Sequence, residues 1–509
     1  MEMPDDLTES EKYLIAQVAK GLIADFTTDD AEMDRPANAA NWGQERTIRA
    51  SIIRELCIGY RKIPPVDPNG IMTKGARIVG SLDLKFANIP FPLVIIACYV
   101  EQTISLFGAD IRTLILSGSQ LMGGLQADGL KVLGAVFLRE GFAALGEVRM
   151  AAATVGGQLD CSGGYFMNSD GAAFIGDTCT VKGNVIFTKN FTAKGEVRLN
   201  GADIGGQLDC GGGHFEKPDG IALFADGLTV KDSVFLRDGF TAEGEVRMPG
   251  ANIGGQFSCI RGRFVNPKGI ALILQNSNVA ARVIFDKDTT FQGELNLADA
   301  TIGQLVDDRE SWPKEGNLYL DGLEYGSFAG TSPTDAKSRL KWLSLQPTNN
   351  KDYGFRPQPY EQLVKVLRAM GHERDARIIA IAKQKEMRKT LGPLARAWSW
   401  ILRISTGYGY ETWRAFIGMA LMVAIGTVVF CLADGNGDML ATNDSAHVPI
   451  FNAFIYSVDT FLPIVDLHQE AYWLPKSEFY KWYLWFHISV GWILTTIAVA
   501  AFTGIFKNE

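Results

Sequence analysis

Three cysteines recur at equal spacing, Cys161, Cys210 and Cys259, each closing a GQLDC-type phrase. Thiols in such a column could ligate metal or exchange electrons, since the thiolate is both metal ligand and nucleophile. A CxxC pair, the local signature of a zinc or dithiol site, is absent from the sequence. His487 lies inside an uncharged run, where an ionisable group is either functional or satisfied by a carbonyl of a neighbouring helix. Asp459 and the stretch Asp466-Leu-His468-Gln-Glu470 could form an acidic mouth that attracts cations, or a solvated loop. Pairs such as Gly211–Gly213 and Gly435–Gly437 lack the third glycine and the strand–helix setting of a dinucleotide site, and neither a Walker loop nor HExxH occurs. The expectation is no catalytic residue, no metal ligand and no cofactor.

The elements that position these residues repeat. GEVRM at Gly146–Met150 returns as GEVRL at Gly195–Leu199, GEVRM at Gly244–Met248 and GELNL at Gly293–Leu297, a period of 49 residues. GQLDC at Gly157 and Gly206 and GQFSC at Gly255 keep step, as do VFLREGF from Val136, VIFTKNF from Val185, VFLRDGF from Val234 and VIFDKDTTF from Val283. A fixed period of this length signals a repeat architecture. Within each phrase apolar residues alternate with polar ones: Val246 and Met248 against Glu245 and Arg247, Leu208 and Cys210 against Gln207 and Asp209. Apolar positions in register stack around a dry core, which is a β-solenoid. Two coils of roughly 24–25 residues fill one unit, so successive cysteines of the column lie about 9–10 Å apart, twice the inter-strand spacing. That exceeds disulfide reach and makes them core thiols.

GADIG at Gly201–Gly205, GANIG at Gly250–Gly254, FGADI at Phe107–Ile111 and LADATIG at Leu297–Gly303 resemble degenerate pentapeptide repeats. The resemblance spans about Gly75–Leu305 and implies a right-handed β-helix. The expected fold is therefore mainly β, a right-handed solenoid with helical additions. Residues 1–62 read as a helical N-terminal cap, with one helix from Thr8 to about Asp25 and another over Gly43–Gly59, ended by Pro64, Pro65 and Pro68. The solenoid follows over 70–325, then a linker rich in Ser, Thr, Pro and Asn over 326–355. A helical hairpin over 356–392 is expected to pack on the solenoid end, and 393–414 is juxtamembrane.

Composition sets the compartment and the partners. The net charge of −8 excludes general nucleic-acid binding, which needs a basic footprint. Met1–Glu11 is polar and acidic, without a basic region leading into an apolar stretch, so the soluble part is expected in the cytoplasm with its 7 cysteines reduced. Ala415–Ala433 carries no charge and is about 28 Å long as a helix, enough to span. Tyr483–Phe506 is a second uncharged run, with Trp485 and Trp492 at interfacial places. Lys383, Lys385, Arg388, Lys389, Arg396, Arg403 and Arg414 precede the first span, Lys507 follows the second, and the loop between them is acidic. By the positive-inside rule both termini and the solenoid are cytoplasmic, on a bacterial inner membrane.

Between the spans, Pro449–Val465 with Asp466 is apolar and short, and reads as a re-entrant segment over 449–466. Span, re-entrant helix and span resemble the two-helix pore-loop channels. Phe461, Leu462, Pro463, Ile464, Val465 and Asp466 stand where a potassium filter would carry glycines, so the filter itself is missing. Thr406-Gly-Tyr-Gly-Tyr410 precedes the first span and reads as interfacial. Over nearly its whole length the chain resembles a bacterial family that joins such a solenoid to this membrane module. WGQERTIRA (Trp42–Ala50), QPYEQL (Gln358–Leu363), YSVDTFLPIVDL (Tyr456–Leu467) and GWILTT (Gly491–Thr496) carry the resemblance. Its members are labelled membrane-associated oxidoreductases, which implies redox activity as the alternative to a scaffold, a sensor or a conductor of an unidentified ion. The expected partners are the lipid bilayer, further copies of the chain around an axis faced by Phe461–Asp466, and a protein on the solenoid. Asp459, Phe461–Asp466 and His487 are the candidate pore-lining or membrane-functional residues.

Overall fold

The computed structural model describes residues 6–59, 65–347, 355–393, 395–396, 400, 413–442 and 448–502. Pro64, the Thr406–Tyr410 stretch, Arg403 and Lys507 lie outside them. The chain divides into two units, Met1–His372 and Glu373–Glu509.

The first unit is a parallel β-solenoid of about 11 coils. Its short strands form a 21-stranded and a 16-stranded sheet. Register shows how a 49-residue repeat makes two coils. Val136 pairs with Leu159, Leu159 with Val185, Val185 with Leu208 and Leu208 with Val234, so the steps alternate between 23 and 26 residues. The longer coils hold the extra residues in one place. In Tyr165–Ile175, His214–Phe224 and Arg263–Ile273 the pairing jumps, for example from Met167↔Lys194 to Ala172↔Glu196, and four residues loop outward. Asn168 Nδ2 closes the first loop on Ala172 O at 2.9 Å, and Asn266 Nδ2 closes the third on Ile270 O at 2.8 Å.

These loops explain the first letter of the GEVRM phrase. Gly195, Gly244 and Gly293 sit beneath them at φ +127°, +124° and +143°. A Cβ there would lie 2.3, 2.4 and 2.3 Å from the carbonyl oxygens of Asn168, Lys217 and Asn266, so only glycine fits. The arginine of the phrase has its own partner one coil earlier. Arg149 meets Asp128 at 2.9 Å, Arg198 meets Asp177 at 2.7 Å and Arg247 meets Asp226 at 2.7 Å. Outward polar residues thus form an ion-pair ladder, each rung half-exposed and individually weak.

Inside, one phenylalanine per coil forms a continuous ladder. Phe142, Phe166, Phe191, Phe215, Phe240, Phe264 and Phe291 stand 5.3, 5.2, 5.3, 5.3, 5.4 and 5.1 Å apart, centroid to centroid. Four of them, Phe142, Phe191, Phe240 and Phe291, end the VFLREGF-type phrases, and Phe166, Phe215 and Phe264 come from the alternate coils. The cysteine column is built the same way. Leu159↔Val185↔Leu208↔Val234↔Phe257 fixes the register, so Phe187 stacks between Cys161 and Cys210, and Leu236 between Cys210 and Cys259. A small side chain in alternate coils makes room for a large one between. All seven cysteines are free.

Both ends of the stack are covered. At the first coil, α1 (Glu9–Val18) carries a Thr8–Glu11 capping box, and Glu11 also holds Arg49 at 2.7 Å. A short strand, Thr47–Arg49, pairs with Arg77–Val79 and leads into α2 (Ala50–Ile58), closed by Gly59 at φ +73°. The helix expected over Gly43–Gly59 is therefore shorter, because three of its residues extend the sheet.

The last coil corrects a second expectation. The strand Glu324–Phe328 runs across the start of the stretch read as a linker, and within that stretch α3 (Ala336–Leu343) is a capping helix. Arg339 of α3 is fully buried, clamped to both oxygens of Asp307 at 2.8 Å, and lies 3.6 Å from the Phe328 ring centroid. Trp312 Nε1 donates to the same carboxylate at 2.8 Å. Polarity in the sequence concealed this cap, because its polar groups satisfy one another. Next, α4 (Gln358–Ala369) sits on the last strand, with Gln362 Nε2 on Tyr325 O at 2.7 Å and Gln358 Nε2 on Leu323 O at 3.0 Å. Those amides satisfy carbonyls at an edge that no further coil pairs.

The second unit contains α5 (Glu373–Thr390), α6 (Trp413–Gly435), α7 (Ala453–Phe461) and α8 (Glu478–Phe502). Met439–Ala441 and Trp473–Pro475 form an antiparallel ribbon between α6 and α8.

Candidate functional site

Two helices, α6 and the Glu478–Ala500 part of α8, are long and apolar enough to cross a membrane, at 23 residues each. That is about 34 Å of helix, against a hydrocarbon core of about 30 Å. A core helix of a soluble protein would be mostly enclosed, whereas only 17% and 28% of their most apolar windows are buried. Trp413, Ile417, Leu421, Val428 and Leu432 of α6 and Phe479, Trp482, Trp485 and Trp492 of α8 are exposed.

The short helix α7 packs between the two. Asn452 caps it, its Oδ1 accepting from the Phe454 and Ile455 N–H groups at 3.1 Å. Tyr456, in its first turn, meets Phe430 at 4.8 Å between centroids, and Phe461 at its end reaches Gly491, midway along α8. Two glycines permit this approach. A Cβ on Gly426 would lie 2.3 Å from Ser457 Oγ, and one on Gly491 would lie 2.0 Å from Phe461 O. Small residues at such contacts let helix backbones close together. After Phe461 the chain turns back instead of continuing along the pair.

Asp459 makes that turn. Its Oδ1 accepts the Leu467 N–H at 2.6 Å, and its Oδ2 accepts those of Gln469 and Glu470 at 2.8 Å. This buried carboxylate accepts three backbone N–H groups of the loop it folds, while Asp466 and His468 of that loop are exposed. Asp466 is exposed and lies 2.7 Å from His468 Nδ1. Burial, with Asp459 and Asp466 nearby, pushes the Glu470 carboxyl above its ordinary range.

His487 is fully buried beside Phe461, 5.0 Å between centroids, and Tyr483 stacks on it at 5.6 Å. Its Nε2 lies 3.2 Å from both Ser457 Oγ and Ser457 O. A serine–histidine contact is the geometry of an activated nucleophile. Here the protons run the other way: Ser457 Oγ donates to Val423 O at 2.9 Å, and a carbonyl only accepts, so Nε2 carries the hydrogen. The pair therefore ties three helices together, with the imidazole Nε2–H satisfied by a helix carbonyl. Nδ1 is buried without a hydrogen-bond partner among the described residues.

The candidate residues separate into two groups. Phe461 and His487 meet in the core between the helices and are both fully buried within one chain. Leu462 and Pro463 are half-buried, while Ile464 is 81% exposed, Val465 38% exposed and Asp466 exposed. The sequence reading missed Ser457, Gly426 and Gly491, although Ser457 and Gly491 stand inside the YSVDTFLPIVDL and GWILTT stretches. A small residue opposite each bulky one was the available signal. In the solenoid, burial pushes the Cys98 and Cys179 thiols up to about 12 and those of Cys161, Cys210 and Cys259 well above the ordinary value, as inert core thiols require.

Comparison with protein-family models, curated proteins and solved structures gives no match.

Proposed function

We propose that the protein is a membrane-anchored scaffold, a cytoplasmic β-solenoid held on a bacterial inner membrane by α6 and α8. The observation that carries this reading is the low burial of two apolar 23-residue helices in a chain whose other unit is a solenoid. Their exposed tryptophans and aliphatic side chains suit lipid and would be costly in water.

The re-entrant turn extends the reading to an oligomer. The N–H groups of Ile464 and Asp466 have no hydrogen-bond partner among the described residues, and Ile464 is 81% exposed. Non-helical backbone at membrane depth is tolerated only against protein or a water-filled cavity. A symmetric assembly with Ile464–Asp466 toward its axis supplies both, and an aqueous axis would give an ion a path. Cys431 is the exposed native thiol, so Cys431→Ala leaves the remaining cysteines in the solenoid unit buried. In that background, Ile464→Cys and Val465→Cys are expected to form disulfide dimers in native membranes. A monomeric mass in mild detergent together with absent crosslinks would reduce the module to a plain anchor.

A further inference from the structure

We propose that the outward face of α5 is a binding surface for anionic phospholipid headgroups. This inference rests on the membrane reading above and adds the lipid class that the anchored chain recognises. Placed at about 100° per residue, Arg374, Arg377, Lys385, Arg388 and Lys389 fall within an arc of about 120°. Arg374, Arg377, Lys385 and Lys389 are exposed, whereas Arg388 is half-buried and its Nη1 is buried without a hydrogen-bond partner among the described residues, so the four exposed cations carry the surface. The helix's acids, Glu373, Asp375 and Glu386, fall outside the arc, and of these Glu386 reaches in to Lys389 at 2.6 Å. Ala376, Ile379 and Ala380 occupy the opposite side and are buried. The stripe is thus a one-signed row about four turns long on an otherwise acidic chain.

Charge and connection together select the occupant. Residues 391–412 join this helix to α6, so the stripe is confined near the leaflet on which α6 begins. By the positive-inside reading that leaflet is cytoplasmic, where anionic lipids attract basic segments at about 1 kcal/mol per Lys or Arg. Binding would hold α5 on the membrane surface with its cations among the phosphates. Tethering raises the effective concentration, so few cations suffice.

The test uses the full chain with Cys431→Ala in lipid nanodiscs, spin-labelled at Ile378→Cys within the stripe. A second label at Leu421→Cys reports by oxygen accessibility whether α6 is in the bilayer. In discs containing phosphatidylglycerol the Ile378 label is expected to be immobilised. It should be released in pure phosphatidylcholine, and by about 1 M salt, where the screening length falls to about 3 Å. Arg377→Gln should lower the immobile-to-mobile ratio about fivefold, and Arg377→Lys should preserve it. Equal spectra in the two lipids, or immobilisation by RNA or inorganic phosphate in phosphatidylcholine discs, would overturn the proposal. A Leu421 label that reports water in both lipids would instead overturn the membrane reading itself.

Discussion

Leu208→Asp is expected to unfold the solenoid, while Asp209→Ala, the next residue along, leaves it folded. Leu208 is fully buried and stacks between Val185 and Val234 of the adjacent coils. A carboxylate there lies between two valines, shut off from water, and burying an unpaired charge costs many kcal/mol or forces protonation. Each coil buries its face only against its neighbours, so a failure at one coil opens both interfaces. Asp209 is half-buried and points outward, where its Oδ1 accepts the Gly211 N–H at 2.9 Å. Losing that bond costs about 1 kcal/mol. Denaturant midpoints and protease resistance of the two variants read the difference directly. Equal losses would refute the inward–outward alternation.

The second large effect belongs to the C-terminal cap. Arg339→Ala and Asp307→Ala should each cost about 3–5 kcal/mol, because each strands the other charge in a dry site. Arg339 is fully buried and Asp307 nearly so, and the guanidinium also donates to Pro333 O at 2.6 Å. The double substitution Arg339→Met with Asp307→Leu should cost far less than the two single losses added together, since no charge remains to be solvated. A double-mutant cycle on chemical denaturation measures this coupling. Single losses below about 1 kcal/mol would mean that the pair is solvated and α3 does not seal the end.

Much of this fold was legible because its signals are periodic. The GEVRM, GQLDC and VFLREGF phrases carry the two-coil unit, and alternation assigned Leu208 and Cys210 inward. The division into 23 and 26 residues was not legible, because the outward loop at Asn168–Gly171 reads as ordinary turn chemistry in any one copy. The phenylalanine ladder was not legible for a related reason: three of its seven rungs, Phe166, Phe215 and Phe264, lie in coils whose flanking residues vary. Ends were harder still. Arg339 and Asp307 are charged residues in a polar stretch, and only their mutual contact makes them a buried cap. In the membrane module, hydropathy marked α6, α7 and α8, yet no local pattern says that Asp459 binds three N–H groups of its own return loop. That bond depends on a chain reversal, which periodicity does not encode.

Sidedness tests the central claim, that α6 and α8 cross a membrane and α7 enters and leaves it on one side. In a Cys431→Ala background, single cysteines replace Leu440 before α7, His468 after it, and Leu133, which is 72% exposed on the solenoid. A membrane-impermeant maleimide applied to intact spheroplasts should label positions 440 and 468 alike, and position 133 only after permeabilisation. Labelling of position 133 in intact spheroplasts, or of only one of the other two, would contradict the anchored, re-entrant arrangement.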